Sequence, residues 1–230
     1  MKIMKRPCQK QIIKFFVIFT VLLVATLNCR NSYAEDFDYC NTVTSWGELY
    51  SCIDNDKDVT LADDITINHN ILVGRGKNLT INLNDHKITQ SENDSVLIIY
   101  GSNIAFTGPG ALISTATDVP VIQVVGSRSP EETDTTTVTI GKDVVVADFY
   151  SAGFGIGEES GGYRGITIDF YGLVSGLYGF HTYSVTTELD DVPEINIYDE
   201  SVIFGRNQAI RAEAAADNAE QSYQSTLRKV

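Results

Sequence analysis

The sequence predicts an all-β fold: a stacked solenoid of short strands, closed at its N-terminal end by a short capping helix. Three observations carry this. The stretch 79–89 (LTINLNDHKIT) is written again at 104–114 (IAFTGPGALIS), 138–148 (VTIGKDVVVAD), 166–176 (ITIDFYGLVSG) and 195–205 (INIYDESVIFG). Each copy is an alternating apolar strand, a polar or glycine-containing corner, and a second apolar strand. A third apolar segment then follows each copy, at 96–99, 121–125, 153–156, 178–180 and 209–210. The copies start at 79, 104, 138, 166 and 195, giving spacings of 25, 34, 28 and 29 residues, the length of one turn of a three-sided coil with variable loops.

Taken from its start, the chain opens with a secretory pattern over residues 1–34. Lys2, Lys5, Arg6, Lys10 and Lys14 form a basic lead, residues 15–27 are an apolar run, and Ser32-Tyr33-Ala34 offers small residues for cleavage. The run is shorter than the ~20 residues of a membrane-spanning helix, so the mature chain is expected outside the cytoplasm, secreted or on the cell surface, with no membrane span. Removing it leaves 11 basic against 30 acidic residues. That acidity opposes nucleic acid, anionic lipid and, without a bridging cation, polyanionic sugars.

Residues 35–57 read as lead-in and cap. Ser45-Trp46-Gly47-Glu48 is a capping box, and Trp46, Leu49, Tyr50 and Ile53 recur at helical spacing. Such a helix lids the unsatisfied edge and open bore of the first coil. Cys40 and Cys52 are the only cysteines past residue 34, and an even pair in an oxidising compartment predicts one disulfide tying lead-in to lid, contributing roughly 2–3 kcal/mol. Residues 58–211 are the solenoid. Gly108, Gly110, Gly126, Gly141, Gly172 and Gly205 mark corners, and Gly153-x-Gly155-x-Gly157 reads as corner chemistry too. Polar insertions at 127–137, 158–164 and 184–193 stand where repeat folds place their variable loops. The polar tail, 212–230, has helix-forming composition and reads as a cap helix or a truncated continuation of the coil.

The capping helix, DVTLADDITI, KNLTINLNDHKIT and the coils of about 25 residues that follow resemble the pectin-lyase-like superfamily of right-handed parallel β-helices. Among them, the pattern is similar to secreted bacterial surface proteins and autotransporter-passenger-like adhesins. The resemblance implies a single-stranded right-handed parallel β-helix. It also implies a structural or adhesive module contacting carbohydrate or a host or cell-surface protein. The superfamily's polysaccharide lyases and glycoside hydrolases make an enzyme the alternative. Lyases of this fold hold calcium on aspartates beside a basic arginine, but Arg75, Arg128, Arg164, Arg206 and Arg211 lie outside the Arg-x-Pro-x-x-Arg pattern. The hydrolases' His-Gly signature is absent, since His69, His86 and His181 precede Asn, Lys and Thr. Asp63-Asp64 and Asp190-Asp191 supply acid pairs, while Asn82-Leu83-Asn84 replaces an acid by an amide.

Two candidate sites remain. Asp143, Asp169 and Asp199 fall in the corners of successive copies and, at a coil spacing of ~4.8 Å, would form a ladder able to hold Ca²⁺. Against this, a corner aspartate commonly bonds its own backbone. The second candidate is aromatic: Tyr163, Tyr171, Tyr178 and Tyr183 on adjacent coils would make a stacking platform for sugar rings or peptide, with the phenylalanines filling the bore and His181 on the wall.

Overall fold

The computed structural model describes residues 39–127, 131, 134–157, 162, 164–185, 193–214 and 227–229. They form a parallel β-solenoid of about five turns with three faces. Face one stacks β1 (Val59–Thr60), β4 (Asn78–Asn82), β7 (Asn103–Thr107), β10 (Thr136–Ile140), β13 (Ile166–Phe170), β15 (Glu194–Ile197) and β17 (Leu227–Lys229). Face two stacks β2 (Ile65–Ile67), β5 (His86–Gln90), β8 (Gly110–Ser114), β11 (Val144–Asp148) and the first halves of β14 (Leu173–Val185) and β16 (Val202–Ala214). Face three stacks β3 (Ile71–Val73), β6 (Leu97–Tyr100), β9 (Ile122–Val125), β12 (Ala152–Ile156) and the second halves of β14 and β16. The levels are numbered one to six from β1–β3 to β15–β16. Every one of these strand pairs is parallel, as a coil that always advances in one direction requires.

Strict alternation builds the bore. In β4, β7, β10 and β13 every second side chain is buried, so Leu79, Ile104, Val138, Ile168 and Ile195 stand in one column. This register corrects the repeat alignment. Val138 pairs with Ile168, not Ile166, so the fourth copy starts two residues later than the sequence pattern suggests. A two-residue slip leaves every side chain on its own face, and for that reason periodicity cannot detect it. Three phenylalanine rings meet in the bore at levels four and five. There Phe154 and Phe180 stack at 5.0 Å and Phe170 meets Phe180 edge-on at 5.5 Å, all fully buried.

The first level is lidded as expected. A 3₁₀ turn (Tyr39–Asn41) leads to the helix α1 (Trp46–Asp54), and the Cys40–Cys52 disulfide joins them. Ser45 caps the helix through the Glu48 N–H. Glu48 reaches one residue beyond the predicted box, where its carboxylate accepts from the Thr44 N–H at 2.8 Å. Leu49, Cys52 and Ile53 are buried, whereas Tyr50 turns outward to stack on Trp46 at 5.6 Å. Val43 pairs with Leu61, so the lead-in covers the edge of β1. Among the described residues no helix is long and apolar enough to cross a membrane.

Corners are set by side chains as well as glycines. Asn84 and Asp85 of the repeated stretch take positive φ (49° and 66°), and the Asn84 amide donates to the Leu61 carbonyl one level below. Between faces two and three, Gln90, Ser114 and Asp148 stand in register in successive levels, all buried. Each accepts a backbone N–H two residues ahead: Glu92 to Gln90, Ala116 to Ser114, and Tyr150 to Asp148 at 2.6 Å, with Ser151 sharing the Asp148 oxygen. Levels five and six turn this corner inside β14 and β16, at Gly176 and Gly205. A Cβ on Gly205 would collide with the Gln208 carbonyl. The Gly153/Gly155 motif, by contrast, lies in strand β12 and not in a corner; a side chain on Gly155 would strike Pro120 and Gln123.

Two measurements test this account. Phe154→Ala should cost about 3–5 kcal/mol in denaturant unfolding, because its fully buried ring packs against Phe170 and Phe180. Desolvation pushes the Asp148 carboxyl up from its ordinary value, so the native state holds that proton to higher pH than the unfolded chain does. Its contribution is therefore most favourable below the ordinary carboxylate range and is lost as pH rises through the raised value. Asp148→Asn keeps the acceptor without the charge, so its melting temperature should gain on the parent as pH rises above about 4. Asp148→Ala, which strands two N–H groups, should melt lower at every pH.

Candidate functional site

The sequence-predicted residues divide among three places on the outer wall. The first is face one and its corner toward face two. Asp169 is a strand residue of β13, stacked between Thr139 and Asn196, and does not sit in a corner. Asp143 and Asp199 do occupy corners, of levels four and six. Between them, the level-five corner is reduced to Tyr171-Gly172 and contributes no acid. The expected corner ladder Asp143, Asp169, Asp199 is thus not formed, because the fourth copy's shifted register moves Asp169 out of line. Asp169 accepts hydrogen bonds from the Asn196 amide at 3.1 Å and the Tyr198 hydroxyl at 3.2 Å. Among the described residues no three His, Cys, Asp or Glu side chains converge as metal ligands.

What stands at this corner is aromatic and ionic. Tyr171 and Tyr198 stack face to face at 4.0 Å, one level apart. Tyr198 is pushed up to about 12 by its hydrogen bond to the Tyr171 hydroxyl, by desolvation and by the Asp169 charge. Lys142 of level four reaches past the short corner to Glu200 of level six at 2.5 Å. Their hydrogen bond and mutual charge raise the lysine and lower the glutamate, although both are well exposed.

The second place is the outside of face three. Tyr178, His181 and Tyr183 form a run of rings with centroids 5.3 and 4.2 Å apart, and Arg211 of the last level lies 4.8 Å over Tyr178. Tyr178 is buried, its hydroxyl accepting from the Asn207 amide and the Arg211 guanidinium. Gly155 lies beside the Tyr183 ring, which an added Cβ would crowd at 3.0 Å. The platform expected of four tyrosines is therefore two separate clusters, one at the Tyr171 corner and one on face three. Tyr163 lies outside the described residues, as do Arg128, Asp190, Asp191, most of the three insertions and the whole of the secretory segment.

The third place was only half legible. Phe106, Phe154, Phe170 and Phe180 fill the bore as expected, but Phe149, Tyr150 and Phe204 stand outside, 59%, 55% and 57% exposed. Phe149 and Phe204 thus depart from the expectation that the phenylalanines fill the bore; the outward parity of Phe204, the residue before the corner Gly205, is the signal in the repeat that could have placed it outside. Arg206 donates to the Phe149 carbonyl at the opposite edge of face two. Near the lid, a groove of about 250 Å³ is walled by Tyr50 and Leu72. Its cations are engaged: Lys77 donates to the Asp54 carbonyl at the end of α1, and Arg75 pairs with Asp134 at 2.8 Å.

Comparison of the chain with protein-family models, with curated proteins and with solved structures gives no match.

The tyrosine corner makes a spectroscopic prediction. An alkaline absorbance titration should contain a late-ionising component that is lost in Tyr198→Phe. In Tyr171→Phe the Tyr198 ionisation should move to lower pH, because the largest contribution to its shift is gone.

Proposed function

We propose that the chain is a secreted or cell-surface module with a structural and adhesive role, a right-handed β-helix of the pectin-lyase-like, autotransporter-passenger-like kind. It is not a catalyst in this reading. The observation that carries it is the placement of aromatic side chains. The bore is already filled by four phenylalanines, yet Phe149, Tyr150 and Phe204 stand outside on a wall whose backbone is held by a continuous ladder. Large exposed aromatics on a rigid scaffold are what binding surfaces use, since little conformational freedom is lost on contact. The basic-apolar N-terminal segment and the Cys40–Cys52 disulfide support an extracytoplasmic setting. Carbohydrate and cell-surface protein are the two partner classes in this reading. The Tyr171–Tyr198 pair beside Asp169 and Asn196 supplies aryl surface and hydrogen-bonding groups suited to a sugar.

The test is binding of the purified protein to cells and to immobilised neutral glycans, run beside assays for reducing-sugar and unsaturated-uronate release. Saturable binding without product is expected, and Tyr171→Ala with Tyr198→Ala should weaken glycan binding about tenfold while leaving the β-rich circular dichroism spectrum in place. Turnover abolished by Asp169→Asn would replace this reading with the polysaccharide-degrading one.

A further inference from the structure

Outward positions of face two change character along the solenoid. At level one the outward residue is Thr66, and at level two Lys87 and Thr89. From level three upward the register stacks Ile113 under Ala147, then Ser175 and Phe204, while Ala111 lies under Val145, then Leu173 and Val202. Seven of these eight are apolar and none is charged. Their inward neighbours already fill the bore, so the outer set is not needed for the core. Val202 and Phe204 are 49% and 57% exposed, a contiguous apolar wall on a chain of net charge −13.

One edge of this wall carries two built anchors. Phe149 and Tyr150 project from the corner after β11, and their backbone is tied on both sides. The buried Asp148 carboxylate accepts both the Tyr150 and Ser151 N–H groups, and Arg206 donates to the Phe149 carbonyl from two levels above. The fold keeps a desolvated carboxylate here, and what that carboxylate orders is a pair of exposed aromatic rings. The opposite edge is acidic: Asp143, Asp199 and Glu200 stand there, with Lys142 paired to Glu200.

We propose that the outer side of face two, levels three to six, docks a polypeptide segment with an apolar centre and basic flanking residues. This rests on the adhesive reading and gives it a surface and a partner chemistry. The basic flank follows from charge complementarity with the acidic edge; a second copy of the chain brings the same acidic edge and is repelled. Ala214 at the end of face three and Leu227 in β17 on face one both lie off face two. Four levels at ~4.8 Å and strands of about five residues at ~3.3 Å give a footprint of a few hundred Å². That is below the ~800 Å² per partner of a standard protein interface, and it suits a segment better than a whole domain.

The experiment uses fluorescent synthetic peptides with a Leu/Phe centre, flanked in one series by Lys and Arg and in the other by Glu. Binding to the purified protein is read by polarisation at low and moderate salt. The expected result is saturable, salt-weakened binding of the basic series only. Phe149→Ser with Tyr150→Ser, and separately Val202→Thr with Phe204→Ser, should each lower affinity at least about tenfold; these side chains are exposed, and unchanged melting confirms the fold. Equal binding by both peptide series, unaltered affinity in both variants, or no binding of the basic series overturns the proposal. So does a dimer in sedimentation that the Val202/Phe204 variant loses, which would make the occupant a second copy. Binding to phosphatidylcholine vesicles that the Phe149/Tyr150 variant loses would make it a membrane. Cell adhesion that persists in both variants overturns this surface and leaves the adhesive reading standing. Peptide binding without any cell or glycan adhesion overturns that reading and supports the surface.

Discussion

Each level of this solenoid must lie in register on the level below, about 4.8 Å away, with the same side chains turned inward. Everything else in the structure answers to that constraint. It makes Leu79, Ile104, Val138, Ile168 and Ile195 one column rather than five separate core positions. It also means that a change of size in one column has to be met in another. Where level four brings Phe154 into the bore, level five answers with Phe180 stacked on it and Phe170 set edge-on. Neighbouring levels pack as a single object because the backbone ladder permits no lateral adjustment.

The same constraint explains how so acidic a chain stacks at all. Many carboxylates are placed where a strand begins and a backbone N–H of an adjacent level needs an acceptor. Asp56 receives the Asn78 N–H, Asp58 that of Thr80, Asp64 that of Lys87, and Asp94 that of Asn70. Negative charge is thereby held against backbone donors at the periphery, where water still screens it. Asp148 is the exception. It is buried and accepts N–H groups of its own corner, as Gln90 and Ser114 do in the same column beneath it, and its proton affinity rises accordingly. What distinguishes it from the two residues beneath is the corner it orders, which is shorter, 149–151 against 91–96 and 115–121, and carries Phe149 and Tyr150 into solvent.

Most of the fold was legible in residues 79–89 and their copies, since alternation with period two and corners rich in Asn, Asp and Gly state a coil directly. The helix was legible in Ser45 and Glu48, and the disulfide in the isolation of Cys40 and Cys52. The candidate sites were not legible to the same degree. Asp169 looked like a corner residue because ITIDFYG aligns with VTIGKDV, and only the ladder shows that Thr136, not Val138, lies beside Ile166. Tyr171 and Tyr178 looked like members of one platform of tyrosines on adjacent coils, yet a corner and a bulge between them send one to each side of face two.

The sequence by itself determined what repeats: three strands per turn, an apolar bore, a lidded first level and polar corners. These are local consequences of alternation, capping and turn chemistry, and each is written within a dozen residues or so. The tertiary structure alone decided which outward residues stand beside one another, because that depends on register, summed over loops of unequal length. A two-residue shift costs the core nothing, so periodicity is silent about it. That silence covers the whole outer wall, where Phe204 comes to lie two levels above Ala147 and Asp169 beside Tyr198 rather than beside Asp143.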